Sequence, residues 1–415
     1  MNLLKEGMEQ HAVLETNLTR KLTLDGITQA YPVYKIKLDC LFYNDQNDRI
    51  ATWISQYRTQ HDGQSPDPSD REQYNNTIEH FLVDSNPDAL KKTKANIKLV
   101  EQREPGVVLS DGRIIDGNRR FTCLRQLSPA DARFSYFEAV ILDRSIEHNA
   151  KEIKLLELSI QHGEESKVEY DPIDRLVGIY NDILDTHLLS IEEYAKSTNE
   201  TENEVKKRME LAQLLVEFLD FINAPKQFYI ARDLQVYYPL EELQKLLRKC
   251  RTEDEKEDLK NSVFTNILMC TKGDLTRFIR EFKTVLGSEY QEEFLEEQQE
   301  IAAQVIDTLP PVGQMSPQTI REEVRTNAAL KDSLERSMEK YTTRAKKSDS
   351  RNRPIQLVEK ATNFLESIDT NILQKLNDSE LQRMRRQLGL LEQALAEIRE
   401  ELPGAPGRRW PMTTD

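Results

Sequence analysis

Residues 106–127 read GVVLSDGRIIDGNRRFTCLRQL, and this stretch decides the fold. Val107, Val108 and Leu109, the turn Ser110-Asp111-Gly112-Arg113, and then Ile114 and Ile115 spell a short hairpin, two apolar runs around a turn that holds Asp-Gly. Asp116 and Gly117 follow as an entry turn, and residues 118–127 have the pattern of a helix. A strand, a glycine turn and a helix that begins with Asn118, Arg119 and Arg120 bring unpaired backbone N–H groups, a positive helix end and guanidinium forks to one point. That chemistry suits a phosphate. Gly117 permits close backbone approach, Asn118 can cap the helix or touch a ligand, and either arginine can hold a phosphoryl oxygen bidentately. The same residues also suit plain surface ion pairs at a helix start.

Upstream, residues 31–38 (YPVYKIKL) alternate apolar and polar side chains as a half-buried strand does, and the turn-rich Asn44-Asp45-Gln46-Asn47-Asp48 follows. Helical patterns run from Ile50, from Asp70 to Val83 and from Pro87 to Val100, with a Gly/Pro break between Gly63 and Pro68. Downstream, residues 137–142 (FEAVIL) form the next strand, and the pattern is then helical to Ile306. The chain is therefore expected to be α+β, with a small mixed-sheet domain over 31–180, a largely helical region over 181–307 and a C-terminal coiled-coil helix. Residues 1–30 read as an N-terminal arm. Residues 308–355 read as a linker, first Pro-containing (TLPPVGQMSP, 308–317) and then basic, with a new module near Thr319. Residues 356–402 are the C-terminal helical segment and 403–415 a tail.

The box Asp116-Gly117-Asn118-Arg119-Arg120-Phe121, after Gly112-Arg113-Ile114-Ile115, resembles the Gly-x-Arg-Arg box of ParB proteins and the Asp-Gly-x-x-Arg box of the wider ParB/sulfiredoxin superfamily. Leu158-Ser159-Ile160-Gln161-His162, followed by Asp171-Pro172-Ile173-Asp174-Arg175-Leu176, is similar to the ParB segment Glu-Asn-x-Gln-Arg with Asn-Pro-Ile-Glu-Glu-Ala. Gln161 is what it keeps of the polar set. The resemblance covers about residues 31–215 and implies a ParB/sulfiredoxin-like domain whose turn cradles nucleotide phosphates. It implies a nucleoside triphosphate, CTP or ATP, with or without Mg, bound by Asp116, Gly117, Asn118, Arg119, Arg120, Thr122 and Gln161. The sulfiredoxin cysteine would fall near Asn118, so sulfinic-acid reduction is not expected. The same fold also serves NTPases and nucleases, some in phage-defence systems, and there Asp116 or Glu157 would be the candidate catalytic or metal ligand.

A second unit follows in the order ParB proteins use. Ala195, Asn199 and Val205 have the spacing of the small packing residue, the left-handed turn residue and the interhelical apolar residue of a helix-turn-helix over 190–215, with Ile191, Tyr194, Leu211 and Ala212 on the buried face. Its recognition helix would run from Thr201 to Leu215 and present Asn203, Lys206, Lys207 and Arg208 to duplex DNA. An ordinary helical hairpin has the same pattern, and residues 190–215 hold six acidic and four basic side chains. Between Arg336 and Arg353 seven cations, Lys346 and Lys347 among them, face only Glu339 and Asp349, as in a flexible linker or a nucleic-acid contact. Leu381, Met384, Leu388, Leu391, Leu395, Ile398 and Leu402 alternate spacings of three and four, the seam of a coiled coil. Such a seam pairs two copies into a homodimer or docks on its own chain.

Composition narrows the classes. A formal net charge of −15 repels polyanions at long range, so any DNA contact is local. Cys40, Cys123, Cys250 and Cys270 lack paired metal or redox spacing and read as reduced core thiols. No apolar run is long enough to span a bilayer and no cleavable hydrophobic leader is visible, so no membrane partner and a cytoplasmic location are expected. The leading expectation is a ParB-like, nucleotide-binding, DNA-associated protein in which nucleotide switches conformation or DNA engagement. The alternatives are the enzyme above and an interaction scaffold with a degenerate pocket.

Overall fold

The structure is a computed structural model and describes residues 2–24, 27–162 and 171–402. Strands β1 (Val13–Leu24) and β2 (Ile27–Lys37) pair antiparallel, from Val13 opposite Ile36 to Leu24 opposite Ile27. The stretch 1–30 is thus no arm, and that expectation is corrected: residues 13–24 and 27–30 build the edge of the sheet. The register shifts between Glu15 and Thr19, which breaks the period of two from which a strand is read. Leu3, fully buried, anchors the turn Leu3–Gly7 by donating its N–H to the Ser110 carbonyl at 2.8 Å.

Helices α1 (Ala51–Gln60), α2 (Arg71–Ser85) and α3 (Pro87–Val100) lead to β3 (Gly106–Leu109) and β4 (Ile114–Asp116). Then come α4 (Asn118–Leu127), β5 (Tyr136–Leu142) and α5 (Ile146–His162). The strand order is β1-β2-β5-β3-β4, with β5 antiparallel to β2 and parallel to β3. Both faces of β5 are covered, which is why residues 137–142 read as an almost continuous apolar run. Phe137, Ala139 and Ile141 pack with Ile36, Tyr43, Tyr74 and Phe121 beneath α1 to α4. Val140 and Leu142 pack with Val107, Leu109, Ile153 and Leu156 beneath α5.

Eight further helices share a third core: α6 (Pro172–Ile179), α7 (Ile191–Thr198), α8 (Glu202–Phe221), α9 (Phe228–Asp233), α10 (Tyr237–Leu247), α11 (Glu253–Met269), α12 (Leu275–Val285) and α13 (Gln291–Ile306). Helix α1 ties them to the sheet domain: Thr52 N donates to Asp174 Oδ1 at 2.9 Å, and Phe228 N donates to Ser55 Oγ at 3.0 Å. The core extends into α14 (Pro317–Thr319), the π-helical turn Ile320–Val324 and the start of α15 (Ala328–Glu366), burying Met315, Ile320, Val324, Leu334, Met338 and Tyr341. Residues 308–345 are therefore no linker. The prolines punctuate a turn that lies on the core, where Asn223 Nδ2 donates to the Pro310 carbonyl at 3.0 Å, and the basic stretch is helical.

The chain divides into two compact units, residues 1–345 and 346–415, so the boundary falls after Ala345 rather than at 308–317. The second unit holds the rest of α15, α16 (Thr370–Leu373) and α17 (Asp378–Glu401), and none of its described residues is buried. The tail, 403–415, lies outside the described residues. Among those described, no helix is long and apolar enough to cross a membrane.

Candidate anion site at the start of helix α4

Gly117 precedes α4 with φ of +104°, a left-handed conformation that favours glycine, and a Cβ there would lie 2.7 Å from Phe137 Cζ. No side chain caps α4, and its first turn holds no acid, so the leading N–H groups and the positive helix end stay available. A cleft of about 270 Å³ opens there, lined by Gly117, Asn118, Arg119 and Arg120 together with Asn47, Arg49 and Gln161.

The two arginines of the box play different parts. Arg120 donates to Asp116 Oδ2 at 3.0 Å and to Glu104 Oε2 at 3.1 Å. Arg20, from β1, donates to the same Asp116 oxygen at 2.8 Å. Asp116 and Arg120 therefore complete a network that fastens β1 over β4. Arg119 is half-buried, and its guanidinium has no acid or hydrogen-bond acceptor among the described residues. Burial, with Arg49 and Arg120 as like-charged neighbours, pulls its pKa down to about 10. It stays charged at neutral pH, and two like charges held near one another favour an anion between them.

Two acceptors in the cleft are also unmet: Asn118 Oδ1 and Gln161 Oε1 are buried with no donor among the described residues. Thr122, by contrast, faces the core, with its Oγ1 2.8 Å from the Tyr43 hydroxyl and donating to the Asn118 carbonyl at 3.0 Å, so its expected ligand role is corrected.

Glu157 lies below the cleft in a buried cluster. Lys154 Nζ sits 2.6 Å from Asp48 Oδ1, 3.5 Å from Asp182 Oδ2 and 3.9 Å from Glu157 Oε2. Asp48 fits because Gly178 faces it, where a Cβ would stand 2.7 Å from the Asp48 carboxyl carbon. Burial raises Glu157 to about 8 and Asp182 to about 7, partly offset by Lys154 and reinforced by Asp48. Among the described residues no three His, Cys, Asp or Glu side chains are placed to hold a metal ion.

Helices α7 and α8 meet at Asn199, whose φ is +56°, with Ala195 and Val205 buried at the crossing. Asn203, Lys206 and Lys207 are exposed. Lys206 pairs with Glu202 at 3.2 Å, while Arg208 and Arg175 both grip Glu200. Lys346 and Lys347 are exposed on α15. On α17 Leu388, Leu395 and Ile398 are exposed, with Leu402 just beyond, while Leu381, Met384 and Leu391 are half-buried.

Sequence reading missed Arg49 and Asn47. Asn47 falls in the turn-rich stretch 44–48 and Arg49 directly after it, and nothing local to them signals the box some seventy residues later. No family model and no curated protein matches the chain.

Proposed function

We propose that the cleft at the start of α4 binds a nucleotide through its phosphates, and that occupancy switches the state of the helical region that follows. The observation that carries this reading is Arg119, a half-buried guanidinium without an acid partner, next to Arg49 and an uncapped helix end. A protein that needed Arg119 only for packing would supply it with a carboxylate, as it does for Arg120. The coupling route is short: Asn47 and Arg49 line the cleft, and Asp48 between them enters the Lys154 cluster with Asp182, in the turn that precedes α7.

Calorimetry of the full chain with CTP, ATP, GTP, UTP and tripolyphosphate, each with and without Mg, tests it. Binding of a triphosphate is expected; if none of the five binds at millimolar concentration, the reading falls. Phosphate release in the same samples separates a switch from an NTPase. Asp116 and Glu157 are engaged by Arg20, Arg120 and Lys154, which favours the switch.

The crossing at Asn199 favours a second reading, in which α7–α8 contacts duplex DNA through Lys207 and its neighbours. The open apolar stripe of α17 favours pairing of two copies in a homodimer.

A further inference from the structure

Two acceptors in the cleft have nothing to accept from. Gln161 is 8% exposed and Asn118 7%, both line the cleft, and neither Gln161 Oε1 nor Asn118 Oδ1 meets a donor among the described residues. Folded proteins rarely leave such oxygens unmet without a water or a ligand to serve them. The Gln161 amide is held in this orientation, because its Nε2 donates to Glu157 Oε1 at 2.9 Å. Glu157 in turn lies beside Lys154, which is anchored on Asp48. The buried cluster therefore presents Gln161 to the cleft oxygen first.

An ionised phosphate offers acceptors only and would leave both oxygens as they are. We propose that the ligand of this cleft carries hydrogen-bond donors beside its phosphates, received by Gln161 and Asn118, and that these side chains select a nucleotide whose base bears an exocyclic amino group. The inference rests on the nucleotide reading above and narrows it. An amino group supplies N–H donors, whereas the keto oxygen that replaces it in uracil or hypoxanthine would set acceptor against acceptor. Sugar hydroxyls are the other source of donors on the same ligand. Glu157 acts as a positioning residue, through Gln161.

The test is calorimetry of the full chain with the pairs CTP/UTP and ATP/ITP, their 2′-deoxy and 3′-deoxy forms, and tripolyphosphate. The amino member of at least one pair should bind about tenfold tighter or more, as expected when a buried acceptor would otherwise go unmet. Gln161→Leu should bring that pair to within about threefold. Glu157→Gln should also erode the ratio by freeing the amide to turn, whereas a purely structural role would weaken every ligand alike. Equal binding of amino and keto partners by a wild type that does bind tripolyphosphate overturns the inference and leaves the phosphate site standing. A loss that appears only with deoxy sugars assigns the donors to the ribose and overturns it too. If neither nucleotides nor tripolyphosphate bind, the nucleotide reading has failed and the inference falls with it. The wild-type ratios decide the matter even if a variant does not fold.

Discussion

Helices α4 and α8 both carry cations within their first two turns, yet their starts are opposites. Helix α8 is closed by a capping box, in which Thr201 accepts from the Glu204 N–H and Glu204 reaches back to the Thr201 backbone, and Glu202 adds a second acid. Its neighbouring cations Lys206 and Arg208 are answered by Glu202 and Glu200. Helix α4 has no cap and no acid in its first turn, and Arg119 is answered by nothing among the described residues. Counting arginines and lysines is therefore a poor guide to anion binding. What separates the two regions is whether the protein's own carboxylates have already met the charge.

The same distinction, open against internally satisfied, applies to apolar groups, and there its largest test lies. Replacing Leu388 and Leu391 together by Glu removes side chains worth about 1.5 to 3 kcal/mol each at a seam and places like charges in it. Light scattering should show the wild type as a dimer and the variant as a folded monomer; a wild type monomeric at tens of micromolar removes α17 from the open class. Next in size is the pair of arginines. Arg119→Ala should weaken tripolyphosphate or nucleotide binding by about 1.5 to 3 kcal/mol with little change in Tm. Arg120→Ala should instead lower Tm, because Asp116 and Glu104 lose a partner, and change affinity less. The reverse order, measured by calorimetry and thermal melts, breaks the comparison.

The Lys154 cluster gives an intermediate effect, read by pH. Glu157 ordinarily titrates near 4.5 and is raised to about 8, so the folded chain keeps a proton that the unfolded chain releases. That contribution is complete below about 4.5 and is lost as pH rises through about 8, and Asp182, raised to about 7, acts in the same direction. Lys154 is held above its usual value of 10.5 and does not titrate in this window. Stability in urea should fall as pH rises between the two limits, and Glu157→Gln should flatten the slope. A profile that rises over that interval would contradict the burial that raises Glu157 and Asp182. The smallest effect is expected on α8: Lys206→Ala with Lys207→Ala should reduce the salt slope of duplex binding by about one unit, since Lys206 is already paired. If the wild type retards no duplex at low salt with nucleotide present, α7–α8 is a packing unit.

What was legible in the sequence was local. The hairpin and helix of residues 106–127 lie within 22 consecutive residues, and the crossing at Asn199 depends on a spacing of ten from Ala195 to Val205. Strand β1 was not legible because its register shift breaks the alternation. The Lys154 cluster was not legible because Asp48 and Lys154 stand 106 residues apart, and each reads alone as a surface charge. The prolines of 308–317 misled because they mark where the chain turns, which is no guide to whether it leaves the core. At the site, the glycine turn and arginines could be read, but which arginine is free depends on Arg20 and Glu104, and these arrive through tertiary pairing.

The strand order has a consequence for synthesis. β5, the central strand, is the last of the five to be made, so a growing chain first carries β1–β2 and β3–β4 as separate hairpins with no strand to join them. Until Leu142 has left the ribosome, the edges of β2 and β3 lack their mate, and paired edges of that kind recruit other chains when left open. A fragment or stalled chain that stops short of Tyr136 would thus lack the strand that joins the two pairs into one sheet.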